Sequence, residues 1–316
     1  MTQTVAIVGS GLIGRAWSIA FARGGWDVRL WDPVAEAPAA ALTAIEGLLV
    51  DLEAQDMLGG ATAATVRARM RSAESLPDAL DGADWVQENA PENLPIKQAL
   101  WLDLDRIAGP DTLLASSTSA IVPSKFTETL AGRARCFTCH PINPPYLVPA
   151  VELVPAPWTT TETMARAEAV IRGIGQAPIV MRRELDGFVM NRMQGALLEE
   201  AFRLVADGYC TVEDVDIGIR EGLALRWSFM GPFETIDLNA PAGVRDYVGR
   251  YQQIYERLFP SMQRRVDWAG EVLGTVETQR RERLPADLLA ERQRWRDRRL
   301  MALLRHKRNA ARDIGS

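Results

Sequence analysis

The chain has few cysteines and few histidines: three and two, respectively, in 316 residues. Three cysteines make no even set, which excludes a disulfide framework. Cys136, Cys139 and His140 do fall in the C-x-x-C-H spacing of haem c attachment. That chemistry belongs with export, however, and the sequence carries no export signal. The motif also sits in an expected strand leading into a proline-rich turn, so both thiols read as small apolar residues of a reduced protein. No metal site is expected. No apolar run approaches the ~18 residues of a membrane span, and the first residues enter a strand at once, leaving no room for a signal peptide. The expected location is cytoplasmic, with no membrane partner. A net charge of −5 gives no electrostatic reason to expect nucleic acid. One stretch runs against that balance: Arg280 to Arg312 holds 12 basic and four acidic residues. It reads as a helix with a solvated face or an oligomer contact, and not as a nucleic-acid site. No internal repeat or low-complexity tract appears. The 47% apolar and 24% charged content is that of an ordinary soluble protein, long enough for two domains.

What is present begins at once. Val5-Ala6-Ile7-Val8 is a β-branched-rich apolar run ending at glycine, the pattern of a buried strand. Gly9, Gly11 and Gly14 follow at the G-x-G-x-x-G spacing, and Arg15 to Arg23 has helical character. Gly9 allows the tight turn off the strand. Gly11 lets backbone approach a pyrophosphate, and Gly14 lets the helix pack close to the sheet. The free N–H groups of the helix start would face the phosphates. A second apolar run, Val28 to Trp31, ends in Asp32, where a carboxylate can accept from ribose hydroxyls. Glycines alone serve many turns. Strand, glycines, helix and acid together mark a dinucleotide site.

The pattern then alternates. Pro33 to about Arg71 is Ala-rich and helical, broken at Gly59-Gly60 as in a helical hairpin. Further strands are expected at Asp84–Glu88, Thr112–Ala115, Cys136–Cys139, Val151–Val154 and Pro178–Met181, with a helix from Asn93 to about Ala108 capped by Asn93. Such alternation indicates an α/β, Rossmann-type doubly wound and mainly parallel sheet, with ligands at the carboxyl ends of its strands. That edge collects Gly9 to Gly14, Asp32, Asn89 to Glu92, Ser116 to Ser119 and His140. Beyond Asp186-Gly187 only helical patterns follow: Phe188 to Asp207, Val212 to Ile219, Pro232 to Leu238 and Val244 to Leu258. The expected domains are therefore 1–186, nucleotide-binding, and 187–316, all-α.

His306 lies in the basic tail and reads as a solvated residue. His140 instead ends an apolar strand and precedes the rigid turn Pro141-Ile142-Asn143-Pro144-Pro145. Twelve residues on, Glu152 interrupts the apolar run Val151-Glu152-Leu153-Val154. By itself it could be a strand-edge residue, but buried acids are rare without a partner. A Glu152–His140 pair accounts for both positions: the carboxylate would orient the imidazole and stabilise its protonated form.

Together with Ser116-Ser117-Thr118-Ser119, His140-Pro141-Ile142-Asn143-Pro144 and Gly187-Phe188-Val189-Met190-Asn191-Arg192, these motifs resemble the 3-hydroxyacyl-CoA dehydrogenase superfamily. Within it, His140 to Tyr146, Pro91-Glu92-Asn93-Leu94 and Gly231-Pro232-Phe233-Glu234-Thr235 are similar to the lambda-crystallin, or L-gulonate 3-dehydrogenase, branch. The likeness runs to about residue 255. It implies that His140 is the general base, that Glu152 orients it, and that Ser119 and Asn191 hydrogen-bond the reacting region of the substrate. It implies further that Gly9, Gly11, Leu12, Ile13, Gly14, Asp32, Glu92 and Lys97 bind NAD. The region from 187 on would serve substrate binding and homodimer formation. The implied reaction is oxidation of the 3-hydroxyl of a small polar hydroxy acid such as L-gulonate. Arg226-Trp227-Ser228-Phe229-Met230-Gly231 also resembles the carnitine dehydrogenase branch, where an aromatic ring suits a trimethylammonium group. A 3-hydroxyacyl-CoA is a third substrate class, though no basic cluster for its phosphates is recognisable. A non-catalytic, crystallin-like NAD-binding protein is the remaining alternative, and it has no need of Ser119, His140, Glu152 and Asn191 together.

Overall fold

The computed structural model describes residues 2–315. Its first strand, β1 (Thr4–Val8), is buried throughout because parallel neighbours flank it on both sides. Helix α1 (Leu12–Arg23) lays Ala16, Trp17, Ile19, Ala20 and Phe21 into the core. Truncating a fully buried Trp such as Trp17 to alanine costs about 3–5 kcal/mol. Strand β2 (Asp27–Trp31) buries Val28 and Leu30 and exposes Asp27. The expected hairpin follows as α2 (Ala37–Ala54) and α3 (Ala63–Ala68), with Gly59 and Gly60 both in the left-handed region between them. Thr62 caps α3 by accepting from Thr65 N.

Four elements of this region escaped the sequence reading, one of them the single turn α6 (Ser124–Thr127). Strand β3 (Met70–Ser72) is three residues long, too short to display a period of two. Helix α4 (Leu76–Leu80) is a single capped turn, with Ser75 accepting from Asp78 N. Helix α7 (Thr161–Gly173) is longer but polar, and buries only Thr163, Met164, Ala167 and Ile171. The rest of this region falls where expected. Strand β4 (Trp85–Glu88) leads to α5 (Leu94–Ile107), whose cap Asn93 accepts from Ile96 N at 3.1 Å. Then come β5 (Leu113–Ser116), β6 (Cys136–Pro141), β7 (Ala150–Pro155) and β8 (Ala177–Val180).

The eight strands form one sheet in the order β3-β2-β1-β4-β5-β6-β7-β8. Every neighbouring pair is parallel except β6 and β7. The chain winds outward from β1 in one direction to β3, then returns to β4 and winds the other way. The crevice at the carboxyl ends of β1 and β4 is the switch point at which such sheets bind ligands. One face packs on α1, α2 and α7, and the other on α4, α5 and α6.

No strand follows Val180 among the described residues. The helices are α8 (Met190–Ala206), α9 (Val212–Ile217), α10 (Ala224–Trp227), α11 (Pro232–Leu238), α12 (Val244–Met262), α13 (Glu271–Arg283) and α14 (Leu289–Ile314). The expected helix to Ile219 gives way at Gly218 to a π-helical turn, Gly218–Leu223. Contacts divide the chain into two compact units: residues up to Asn191 with Asp297–Arg305, and Arg192–Arg296 with His306 onward. The basic tail thus has a share in the first unit. Met301 is buried in its core, Leu300 and Leu304 pack beside it, and Arg298 lies 3.8 Å from Asp51. Among the described residues no helix is long and apolar enough to cross a membrane.

Candidate active site

The glycine loop has the geometry a dinucleotide requires. Gly9 adopts φ +94°, and a Cβ there would meet the Asn89 carbonyl oxygen at 2.8 Å. A Cβ at Gly14 would lie 2.0 Å from Gly9 O, so only glycine lets α1 pack this close to the strand. At Gly11 a Cβ would meet nothing within 4 Å; the space it borders is open. Helix α1 starts there with no side-chain cap, Leu12 is 60% exposed and Ile13 is half-buried. Unclaimed N–H groups beside open space suit a pyrophosphate. Asp32 sits at the end of β2. Its Oδ2 accepts from Ser10 N (2.8 Å) and Ser10 Oγ (3.0 Å), and its Oδ1 accepts from Val34 N at 3.0 Å. The loop and the acid are therefore bound to each other, and the residues fit NAD.

Across the sheet, His140 on β6 stands opposite Glu152 on β7. Side chains of such cross-strand partners share a face, and here His140 Nδ1 lies 2.6 Å from Glu152 Oε2. Both are buried, Glu152 completely. A proton on Nδ1 donated to the carboxylate leaves Nε2 with its lone pair, the form a general base needs. Oε1 of Glu152 accepts from Val189 N (2.6 Å) and Met190 N (2.9 Å), the backbone that opens α8. Burial pushes the Glu152 carboxyl upward. The hydrogen bonds from His140 and from the Met190 and Val189 amides outweigh it, holding the group below the ordinary glutamate value. The turn into α8 is strained. Gly187 (φ +77°) is followed by Phe188 at φ +48°, a region that costs a non-glycine residue about 1–2 kcal/mol. Full burial of the Phe188 ring, 5.5 Å from the His140 ring, offsets that cost. The helix expected from Phe188 therefore starts at Met190.

Ser119 lies just beyond β5, exposed, and Asn191 in the first turn of α8 donates from Nδ2 to Ser119 O at 2.7 Å. The structure brings these two together. Two residues expected at the cofactor have partners within the protein. Lys97 is 1% exposed; its ammonium lies 2.8 Å from each Glu88 oxygen and 3.3 Å from Ser116 Oγ, so the group turns into the protein. Glu92 spends its carboxylate on the loop after β5, accepting from Thr118 Oγ1, Ala120 N (3.3 Å) and Ile121 N (3.2 Å).

Sequence reasoning missed the polar floor beneath these loops. Glu88, fully buried, also accepts from Trp101 Nε1 (3.0 Å), Ser116 Oγ (2.6 Å) and Ala90 N (2.6 Å). Ser117 Oγ accepts from Trp17 Nε1 (3.0 Å) and Gln87 Nε2 (2.7 Å) and donates to Asn89 Oδ1 (2.7 Å). The signal was available: Gln87 and Glu88 are polar residues in the expected strand, as Glu152 is in its own. Cys136 and Cys139 are buried and unpaired, and burial raises the Cys136 thiol to about 12 and the Cys139 thiol well above the ordinary range. Neither is an available nucleophile.

The chain matches both parts of one protein family in tandem. The 3-hydroxyacyl-CoA dehydrogenase NAD binding domain matches residues 4–185, and the C-terminal domain of the same family matches residues 187–273. Lambda-crystallin of Oryctolagus cuniculus is 39% identical over 307 residues, 96% of this chain and 96% of its own. L-carnitine dehydrogenase of Pseudomonas aeruginosa is 36% identical over 307 residues, covering 96% of this chain and 93% of the relative. Among solved structures, FHMPC 5-dehydrogenase, an NAD+-dependent dismutase, is similar with a TM-score of 0.82 at 29% identity. It covers 96% of this chain and 98% of that one.

Proposed function

The chain belongs to the 3-hydroxyacyl-CoA dehydrogenase family and is an NAD-dependent oxidoreductase, and from that premise we propose that it oxidises the 3-hydroxyl of L-gulonate or a closely similar polar hydroxy acid to the 3-keto acid. The observation that carries this reading is the 2.6 Å contact of His140 with Glu152 at the carboxyl edge of the sheet that bears the glycine loop. Full-length likeness to L-carnitine dehydrogenase, a relative named for a small hydroxy acid, supports the choice of a small substrate over an acyl-CoA.

His140 Nε2 takes the proton of the substrate hydroxyl, and Glu152 stabilises the imidazolium that results. Ser119 and Asn191 hold the reacting hydroxyl toward that nitrogen, which is a matter of positioning and lost freedom as much as of charge. NAD, when bound, supplies the hydride acceptor. The N–H groups after Gly11 would hold its pyrophosphate, and Asp32 its ribose. The chain lends Glu152 the charge of two backbone donors, so the carboxylate stays ionised beside the histidine it serves.

Residues 187–316 supply the substrate and subunit contacts in this reading, and the protein works as a homodimer in the cytoplasm. Helix α12 supports the dimer. None of its 19 residues is buried, although Val248, Tyr251, Ile254, Tyr255, Leu258 and Phe259 recur at helical spacing. Three unpaired thiols fit a reducing compartment.

Carnitine is the competing 3-hydroxy acid, favoured by the L-carnitine dehydrogenase relatives and by Phe229, which at 67% exposed is not core packing. The two substrates differ at the far end, where gulonate offers hydroxyls and carnitine a cation that suits an aromatic wall. NAD reduction is measured with L-gulonate, L-carnitine and 3-hydroxybutyryl-CoA, in wild type and Trp227→Leu. The highest kcat/KM with L-gulonate supports the assignment. A ratio favouring carnitine that collapses in Trp227→Leu moves the protein to the carnitine branch.

A further inference from the structure

Ser117 follows β5, and every hydrogen-bonding position of its hydroxyl is filled. Trp17 of α1 donates to it from Nε1 at 3.0 Å, and Gln87 of β4 donates from Nε2 at 2.7 Å. An indole N–H can only donate. The Gln87 amide has no choice of orientation either. The Trp85 indole donates to its Oε1 at 2.9 Å, which turns Nε2 toward Ser117 and the Cys139 carbonyl. Trp17, Trp85 and Gln87 are all fully buried. With both lone pairs of Ser117 Oγ taken, its proton goes to Asn89 Oδ1 at 2.7 Å. Asn89 then aims Nδ2 at Gln87 O (2.8 Å), while its backbone N–H reaches Val8 O at 2.7 Å. One hydroxyl therefore fixes how Asn89 sits. Asn89 in turn lies hard against the glycine loop. A Cβ at Gly9 would meet Asn89 O at 2.8 Å and Ala90 N at 3.4 Å, so any shift of Asn89 is felt at Gly9.

We propose that Ser117 is a positioning residue for the cofactor: by satisfying Trp17, Gln87 and Asn89 at once, its hydroxyl holds Asn89 against Gly9 and so keeps the glycine loop in the shape that receives the pyrophosphate. The inference rests on the assignment of that loop to NAD made above. Deleting the hydroxyl leaves two buried donors facing a gap, and buried donors without partners are costly. The side chains of Gln87 and Asn89 then turn to find other partners, and the wall against Gly9 moves with them. His140 keeps its own bond to Glu152, so the loss falls on cofactor binding more than on proton transfer.

The test measures the NADH Kd by fluorescence and kcat at saturating NAD in the full chain. The variants are Ser117→Ala, Ser117→Thr, Asn89→Ala and the double variant Ser117→Ala/Asn89→Ala. Ser117→Ala is expected to weaken NADH binding roughly tenfold, with kcat falling far less than affinity. Ser117→Thr, which keeps the hydroxyl, recovers most of the loss. Asn89→Ala gives a loss like that of Ser117→Ala, and the double variant is no worse than either single one, because both cut the same link. Native NADH affinity in Ser117→Ala, or losses that add in the double variant, overturns the inference. If Ser117→Ala does not fold, native NADH affinity in Asn89→Ala overturns it instead. Affinity needs no turnover, so it remains decisive if the wild type binds NADH but oxidises no hydroxy acid, which sinks the proposed reaction alone. A wild type that binds no NADH overturns the glycine-loop assignment and this inference together.

Discussion

His140 and Glu152 face each other in register across the one antiparallel pair of the sheet, with Nδ1 2.6 Å from Oε2. Reversal of β7 is what places an acid from an apolar run directly opposite the histidine. A parallel β7 would have needed a crossover and another register. The same carboxylate binds the backbone at the start of α8, so one residue ties the imidazole to the helix that carries Asn191.

That double duty sets the pH response of Glu152. Its folded pKa is lowered, so it contributes stability that is fully present above the ordinary glutamate value of about 4.3 and is lost as pH falls through the lower folded value. Thermal melts from pH 7 down to about 3 should therefore show the wild type losing more stability in the acid limb than Glu152→Gln does. Equal losses in the two proteins would remove the carboxylate from this account. In turnover Glu152→Gln should lose less than a variant lacking the imidazole, because the base remains and only its orientation and charge support suffer.

Cofactor choice tests the proposed role of Asp32. Its carboxylate, held by Ser10 and Val34, would repel a 2′-phosphate, and Pro33, not arginine, follows it. Wild type should bind NADH more tightly than NADPH, and Asp32→Ala should narrow the difference by weakening NADH. Tighter NADPH binding by the wild type would contradict the assignment of Asp32 to the ribose.

The unburied helix α12 predicts the subunit state. Sedimentation should give about twice the chain mass of 34.9 kDa. A charge placed on the apolar face, as in Leu258→Asp, should shift the protein toward monomer, since an interface core does not tolerate an unpaired carboxylate. A wild type that sediments as a monomer overturns the dimer.

Legibility followed burial and periodicity. The glycine loop, most of the strands, α5 with its cap and the His140–Glu152 pair could be read because each couples a local pattern to one physical demand. Strand β3 and helix α4 are too short to carry a period, and α7 shows too polar a surface. Local reasoning could not show the partner of Lys97, Glu88, which is nine residues away in sequence and 2.8 Å in space. The tail hid its packing in the same way: the Leu300-Met301-Leu304 turn is apolar on one face, but the arginines around it dominate the composition.

The central claim is that His140, held by Glu152, is the base that takes the substrate proton. It is tested most directly by NAD reduction with L-gulonate in wild type and His140→Asn, with NADH affinity measured alongside. The account predicts unchanged NADH binding and a loss of roughly 10²–10⁴-fold in kcat. Near-native turnover by His140→Asn would contradict it.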